Sequence, residues 1–290
     1  MLVKTLMCLS GPELESVMRL GAVCAETDGA EAGLQTEKSI NHFKDLRSWF
    51  LAYEQDELIG VLSVFAPMAR EAEITGYVHP AYRSRDVFKD LYQAAEAEIL
   101  PFGIQRVLFS INRKSVAGAG MMKKWKCGLC QTEYGMFLPQ SALVDAAEGL
   151  VRIGRLSVES LDIMTKISAD AFDESEEDAA AMLAGSLAST ERELYGALCD
   201  GIPVGIVSIF FGDDTAMING LAIAPEFQGK GFGKDFMLQL IQMLRARGLK
   251  IILDVNSANA TAYALYKKVG FIENSIQDFY EKTLTPNSRQ

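Results

Sequence analysis

The sequence predicts an α+β protein in which one unit of strands and helices is used twice. Three observations predict it. Residues 58–88 and 203–233 overlay at a constant shift of 145, which puts Gly60 on Gly205, Ser63 on Ser208, Phe65 on Phe210 and Pro80 on Pro225. Each copy interleaves short apolar runs, bounded by turn residues, with longer stretches of helical periodicity. The chain has 290 residues, 49% of them apolar, which exceeds one ordinary domain and supplies two cores.

The second copy opens with a strand in "LVRIGRLSV" and a helix in "SLDIMTKISADAF". A run of hairpin strands follows, with turn chemistry at Asp200-Gly201 and at Gly212-Asp213-Asp214. Next comes a helix from Phe232 to Arg247, with Phe236, Met237, Leu240, Ile241 and Leu244 on one face and Gly248 as its stop. The buried strand "KIILDV", the helix "ATAYALYKKVG" and a strand pair in "FIENSIQDFYEKTL" close the unit. In the first copy "VLFSIN" answers to "IILDVN", and "KKWKCGL" to "LYKKVGF". The polar segment 139–151 is the expected boundary, giving domains 1–145 and 146–290.

A net charge of −10 argues against nucleic-acid wrapping, which needs a basic footprint. No apolar run is long enough to span a bilayer, and the N-terminus lacks the pattern of a secretory leader. Five cysteines at irregular spacing suit reduced thiols in a cytoplasm. Cys127 and Cys130 have Cys-x-x-Cys spacing, but zinc needs two more ligands and the two histidines, His42 and His79, are distant; no metal is expected.

The stretch 224–235, "APEFQGKGFGKD", sets three glycines between an apolar run and a helix. The first N–H groups of that helix have no intrahelical partner, and glycines leave them open to a ligand. With the helix dipole and with Lys230 and Lys234 nearby, this is an anion cradle suited to a pyrophosphate. It is neither a Walker loop nor a dinucleotide fingerprint. Gln228-Gly229-Lys230-Gly231-Phe232-Gly233 resembles the Gln/Arg-x-x-Gly-x-Gly/Ala signature of the GCN5-related N-acetyltransferases. Downstream, Asn259, Ala262, Leu265, Tyr266, Gly270 and Phe271 fill that family's closing motif.

The resemblance implies a three-layer α/β arrangement: a twisted mixed sheet, flanked by helices, whose fourth and fifth strands splay around acetyl-CoA. It implies that residues 228–234 hold the pyrophosphate, that Leu221, Ala222, Ile223 and Asn259 line or bond the pantetheine arm, and that Tyr266 protonates the departing thiolate. Asn259 also caps the last helix. Asn219 stands where many relatives carry a carboxylate, so Asp254, on the next strand, is the candidate base. The reaction implied is acetyl transfer to a primary amine of a small molecule or peptide. A cofactor-binding sensor without turnover is the alternative, since the glycine loop fits both and Tyr266 favours the enzyme. The acidic run 171–180 either draws in a cationic acceptor or is a solvated helix start.

At the same shift Gln228, Gly229, Gly231 and Gly233 become Arg83, Ser84, Asp86 and Phe88. A carboxylate repels a pyrophosphate, and a phenyl ring fills the space of a glycine. The first half is therefore expected to keep the fold and lose the cofactor site; the alternative is that Arg83 and Arg85 hold phosphate in another way. Such a half serves as packing or as one wall of the acceptor pocket.

Overall fold

The structure is a computed structural model that describes residues 1–30, 33–34, 38 and 40–284. The chain divides into two compact units: Met1–Thr132 with residues from Ser275 onward, and Glu133–Asn274.

Unit 1 contains β1 (Leu2–Leu6), α1 (Gly11–Asp28), β2 (Trp49–Glu54), β3 (Glu57–Phe65), β4 (Glu71–Val78), α2 (Val87–Ile99), β5 (Arg106–Asn112), α3 (Val116–Trp125) and the start of β6 (Gly128–Leu138). Its sheet runs β1-β2-β3-β4-β5, mixed because β4 and β5 are parallel. The strands are apolar on both sides, as a sheet covered by helices requires. Phe50, Leu62, Ile74 and Phe109 face α2 and α3, while Trp49, Leu51 and Val61 face α1.

Unit 2 repeats this order with β7 (Arg152–Arg155), α4 (Leu161–Phe172), α5 (Glu176–Ala188), β8 (Arg192–Cys199), β9 (Ile202–Phe211), β10 (Thr215–Ile223), α6 (Phe232–Ala246), β11 (Lys250–Asn256) and α7 (Ala260–Lys268). Asp200 and Gly201 both take positive φ, 52° and 83°, which makes the two-residue β8–β9 turn expected of Asp-Gly. The apolar face of α6 is buried at Phe236, Met237, Leu240, Ile241 and Leu244, and Gly248 follows it at φ 74°. α6 and α7 cover one face of the sheet; α4 and α5 cover the other. Among the acids of 171–180, Glu176, Glu177 and Asp178 form the first turn of α5, where Ser175 caps the helix and the dipole favours negative charge.

The repeat holds at the level of single hydrogen bonds. His79 N–H donates to Ile59 O at 2.9 Å and Ala224 N–H to Val204 O at 2.9 Å. Tyr82 donates to His79 O and Phe227 to Ala224 O, both at 2.8 Å. Each pair is separated by the same 145 residues.

The closing strands depart from the expected order. The strand pair expected in "FIENSIQDFYEKTL" is one twelve-residue strand, β12 (Ile272–Thr283). Its residues Gln277–Thr283 pair with β5 of unit 1, while Glu133–Leu138 of β6 pair with β11 of unit 2. Each copy of the repeat thus lends its last strand to the other unit. The division accordingly falls inside β6 and β12, and not in the polar segment 139–151. That segment is polar but fastened: Arg245 donates to Pro139 O and Ala142 O, both at 3.0 Å, and Asp235 and Gln239 hold residues 148–151. No helix among the described residues is long and apolar enough to cross a membrane.

Candidate active site

In unit 2, β10 and β11 pair in parallel from Thr215↔Lys250 to Ile218↔Leu253, and there the pairing stops. The strands then diverge, which leaves an opening between Asn219–Ile223 and Asp254–Asn256. A β-bulge lies at the point of divergence. Gly220 and Leu221 stand opposite the single residue Val207, between the pairs Asn219↔Ser208 and Ala222↔Ile206. Gly220 takes φ 58°, which an L side chain rarely adopts, and this lets the strand bend. Leu221, Ala222 and Ile223 form the wall beyond the bulge, Leu221 half-buried and the other two buried. A glycine inside a strand was the available signal for the bulge.

The glycine loop leads from that wall into α6. Gln228 Nε2 donates to Ile223 O at 2.9 Å, which pins the loop to the end of β10. Gly229 and Gly231 take φ 71° and 88°. Nothing lies within 4 Å of a Cβ built on Gly229, whereas one on Gly231 would meet Leu150 Cδ1 at 3.2 Å. A Cβ on Gly233 would make only ordinary contacts. Gly231 is the N-cap, and the first helical bond is donated by Asp235 to Gly231 O at 3.0 Å. The N–H groups of Gly231, Phe232, Gly233 and Lys234 therefore have no protein acceptor among the described residues. Lys230 Nζ donates to Glu226 O at 2.6 Å, and Lys234 pairs with Asp145 at 3.2 Å across a solvent-exposed gap.

Asp254 is the first β11 residue past the last β10 pair. Ile251, Leu253 and Val255 point into the core under α6 and α7, so alternation turns Asp254 to the opposite face. Its side chain is exposed to solvent, with protein atoms crowded around it. Burial pushes its carboxyl up to about 6, and no cation or hydrogen-bond donor partners it among the described residues. Tyr266, on α7, lies on the α6 side, buried, with its ring 6.0 Å from that of Phe271. Burial pushes its phenol up to about 12, so it stays protonated through the neutral range. Asn259 caps α7 by accepting from Ala262 N–H at 3.0 Å.

Sequence reasoning missed Asp235. It reads as an acid in a helix first turn, yet it is 2% exposed. It accepts from Glu148, Gly149 (3.0 Å) and Val151 (3.1 Å) N–H and from Gln239 Nε2 (2.9 Å). Burial works to raise its pKa; the hydrogen bonds from Val151, Gly149, Gln239 and Glu148 outweigh that and hold the carboxyl below its ordinary value. Asp235 thereby fixes residues 148–151, including Leu150, beside Gly231.

Unit 1 keeps the backbone of the loop and changes its chemistry. Ser84 and Asp86 take φ 63° and 58°, like Gly229 and Gly231, although a non-glycine residue there costs roughly 1–2 kcal/mol. Arg83 Nε donates to Val78 O at 3.1 Å, matching the Gln228 pin. Its two terminal nitrogens go to Asp28, at 2.7 and 2.9 Å. Phe88, in place of Gly233, is buried with its ring 6.0 Å from Trp125. β4 stays in register with β3 without a bulge.

The sequence model of the Acetyltransferase (GNAT) family matches residues 15–119 and 161–271. The alanine N-acetyltransferase of ribosomal protein bS18 from Salmonella typhimurium is 38% identical over 71 residues, 24% of this chain and 48% of that protein. Mycothiol acetyltransferase from Saccharomonospora viridis is 38% identical over 71 residues, 23% of each chain. The chain thus spans about half the length, or less, of these curated relatives. Among solved structures, a GCN5-related N-acetyltransferase from Sphaerobacter thermophilus superposes with TM-score 0.75 at 17% identity, covering 98% of this chain and 96% of that one. A tandem GNAT protein from the clavulanic acid biosynthesis pathway superposes with TM-score 0.70 at 15% identity, covering 99% and 100%. Two stretches of one family, together more than half of the residues, establish that this chain belongs to the Acetyltransferase (GNAT) family as a tandem member with two GNAT-like halves.

Proposed function

We propose that unit 2 transfers the acetyl group of acetyl-CoA to a primary amine, on a small molecule or a peptide, by direct attack on the thioester. What supports this reading is a pair of titratable groups with opposite aptitudes, Asp254 on β11 just past its last pair with β10 and Tyr266 on the helix that follows β11. Asp254, with its carboxyl near 6, is ionised at neutral pH and can accept a proton; Tyr266, near 12, can only give one.

The residues present fit the co-substrate. The orphaned amides of Gly231–Lys234, at the positive end of α6, suit a diphosphate. Lys234 exchanges Asp145 for a phosphate oxygen at small cost, since the existing pair is exposed. The divergent edge of Leu221–Ile223 offers backbone partners to an amide-bearing arm, and Asn259, at the start of α7, offers a side-chain amide. Acetyl-CoA supplies the activated acyl group. The amine reaches the opening from the face of Asp254, which takes its proton directly or through water. The new N–C bond forms as the C–S bond breaks, and Tyr266 Oη gives its proton to the sulfur on the opposite face. Asn219 carries no charge, which leaves Asp254 as the base.

The relatives named as alanine N-acetyltransferases of ribosomal protein bS18 make a peptide α-amine the first acceptor to try. An α-amine costs only about 1 kcal/mol to deprotonate at neutral pH, against about 4–5 for lysine. The cysteines are all unbridged, in keeping with a cytoplasmic setting. The test is release of free CoA thiol from the full-length protein with acetyl-CoA and a panel of peptides and polyamines. Turnover that falls in Tyr266→Phe supports the reading. Tight acetyl-CoA binding with no turnover on any acceptor would favour a sensor.

A further inference from the structure

We propose that unit 1 is a second binding site, specific for an uncharged aromatic molecule of one or two rings. The site is a cavity of about 350 Å³ at the divergence of β4 and β5, whose pairing stops at Ile74↔Phe109. Its chemistry is not that of the unit 2 opening. A Cβ built on Gly76 would meet Phe88 Cε2 at 3.0 Å, so the Phe88 ring lies on the strand edge that corresponds to Leu221. The Asp86 carboxylate stands in the loop where unit 2 has Gly231, and Arg83 is committed to Asp28. A nucleoside diphosphate meets a carboxylate there; Arg83 is taken by Asp28, and Arg85 lies exposed over the Tyr82 ring, outside the cavity lining.

What remains inside is neutral. Phe88, Trp125 and Met121 supply the apolar wall, and Thr75 and Ser110 supply hydroxyls. The charged residues of the lining are either paired with each other, as Arg83 and Asp28 are, or exposed at the rim, as Asp86, Lys89 and Lys124 are. A charged guest would lose its hydration inside and meet a counter-charge only in exposed, solvent-screened side chains at the rim; an apolar ring loses nothing. The tilted Phe88–Trp125 pair lets a third ring stack edge-on or offset, as aromatic groups prefer. For scale, an apolar cavity of about 150 Å³ accepts benzene, so this one accommodates about two fused rings. A cavity of this size is within the usual range of ligand sites. The inference does not depend on acetyl transfer by unit 2.

Tryptophan emission reads the site directly, because the chain has two tryptophans and the other, Trp49, is buried against α1. The full-length protein is titrated with 4-nitrobenzamide, a neutral aromatic quencher, and with 4-nitrobenzoate and 4-nitrobenzylamine as its anionic and cationic counterparts. Saturable quenching by the amide, with Kd about 0.1–1 mM, is expected, and at least about tenfold weaker binding of the charged analogues. Trp125→Phe abolishes the quenching, and Thr75→Met or Ser110→Leu weakens binding about tenfold by filling the cavity. The proposal is overturned if quenching never saturates, if it persists in Trp125→Phe, or if the charged analogues bind as well. Binding of two acetyl-CoA molecules per chain by calorimetry overturns it equally, and that readout needs no variant.

Discussion

Replacing Asp254 by asparagine should make the protein harder to unfold and nearly inactive. Burial lifts this carboxyl from an ordinary 3.8 to about 6, so the folded chain holds the proton more tightly than the unfolded one. Between those values the native state binds more protons. Stability therefore falls as pH rises through the window, and the deficit is complete above about 6. Full burial would set that deficit at about 3 kcal/mol; solvent reaching the side chain screens it to roughly 1–2 kcal/mol. Asparagine cannot ionise, so Asp254→Asn gains that roughly 1–2 kcal/mol at about pH 7.5 and almost none at about pH 4. Urea midpoints at the two pH values measure it. Over the same range wild-type acetyl transfer rises with the ionised fraction of Asp254 and levels off above neutrality. The variant loses roughly 10²–10⁴ in kcat and the acidic limb of the profile with it. Equal midpoint shifts at both pH values, or a wild-type kcat/KM flat from about pH 5 to 7, would refute the assignment.

Tyr266→Phe should leave acetyl-CoA binding near normal by calorimetry and lower kcat by roughly 10²–10⁴; unchanged turnover removes the phenol from the chemistry. Gly231→Val should raise KM for acetyl-CoA and lower Tm, since φ 88° and the Leu150 contact at 3.2 Å both resist a side chain; a normal KM would show that the loop holds no phosphate. Asp235→Ala should cost about 2–4 kcal/mol in urea unfolding by orphaning three backbone N–H groups, and should expose the 139–151 segment to protease; an intact digest pattern would contradict its fastening role.

The repeat was legible because strand, turn and helix onset are encoded locally: Gln228 and Arg83 pin their loops by the same bond despite different chemistry. The candidate site could be read from the sequence for the same reason, since its residues sit in two short stretches, β10 through the loop into α6 and β11 into α7. The inward aim of Asp235 was not, because a first-turn acid is favoured by the dipole on either face and only the returning segment 148–151 decides. The destination of β6 and β12 was not either. Both strands satisfy the same pattern of alternation, and nothing within a strand specifies which distant edge it joins. Phe88 was expected to fill the space that Gly233 leaves open; its ring edge reaches Gly76, and a cavity remains beside it.

The exchanged closing strands carry a cost during biosynthesis. Asn112 waits for Gln277, 165 positions later, before the edge of β5 is covered. At about 5–20 residues per second, roughly ten to thirty seconds pass with a bare sheet edge emerging from the ribosome. A nonsense codon after Asn274 would accordingly cripple the part of the molecule that is translated first.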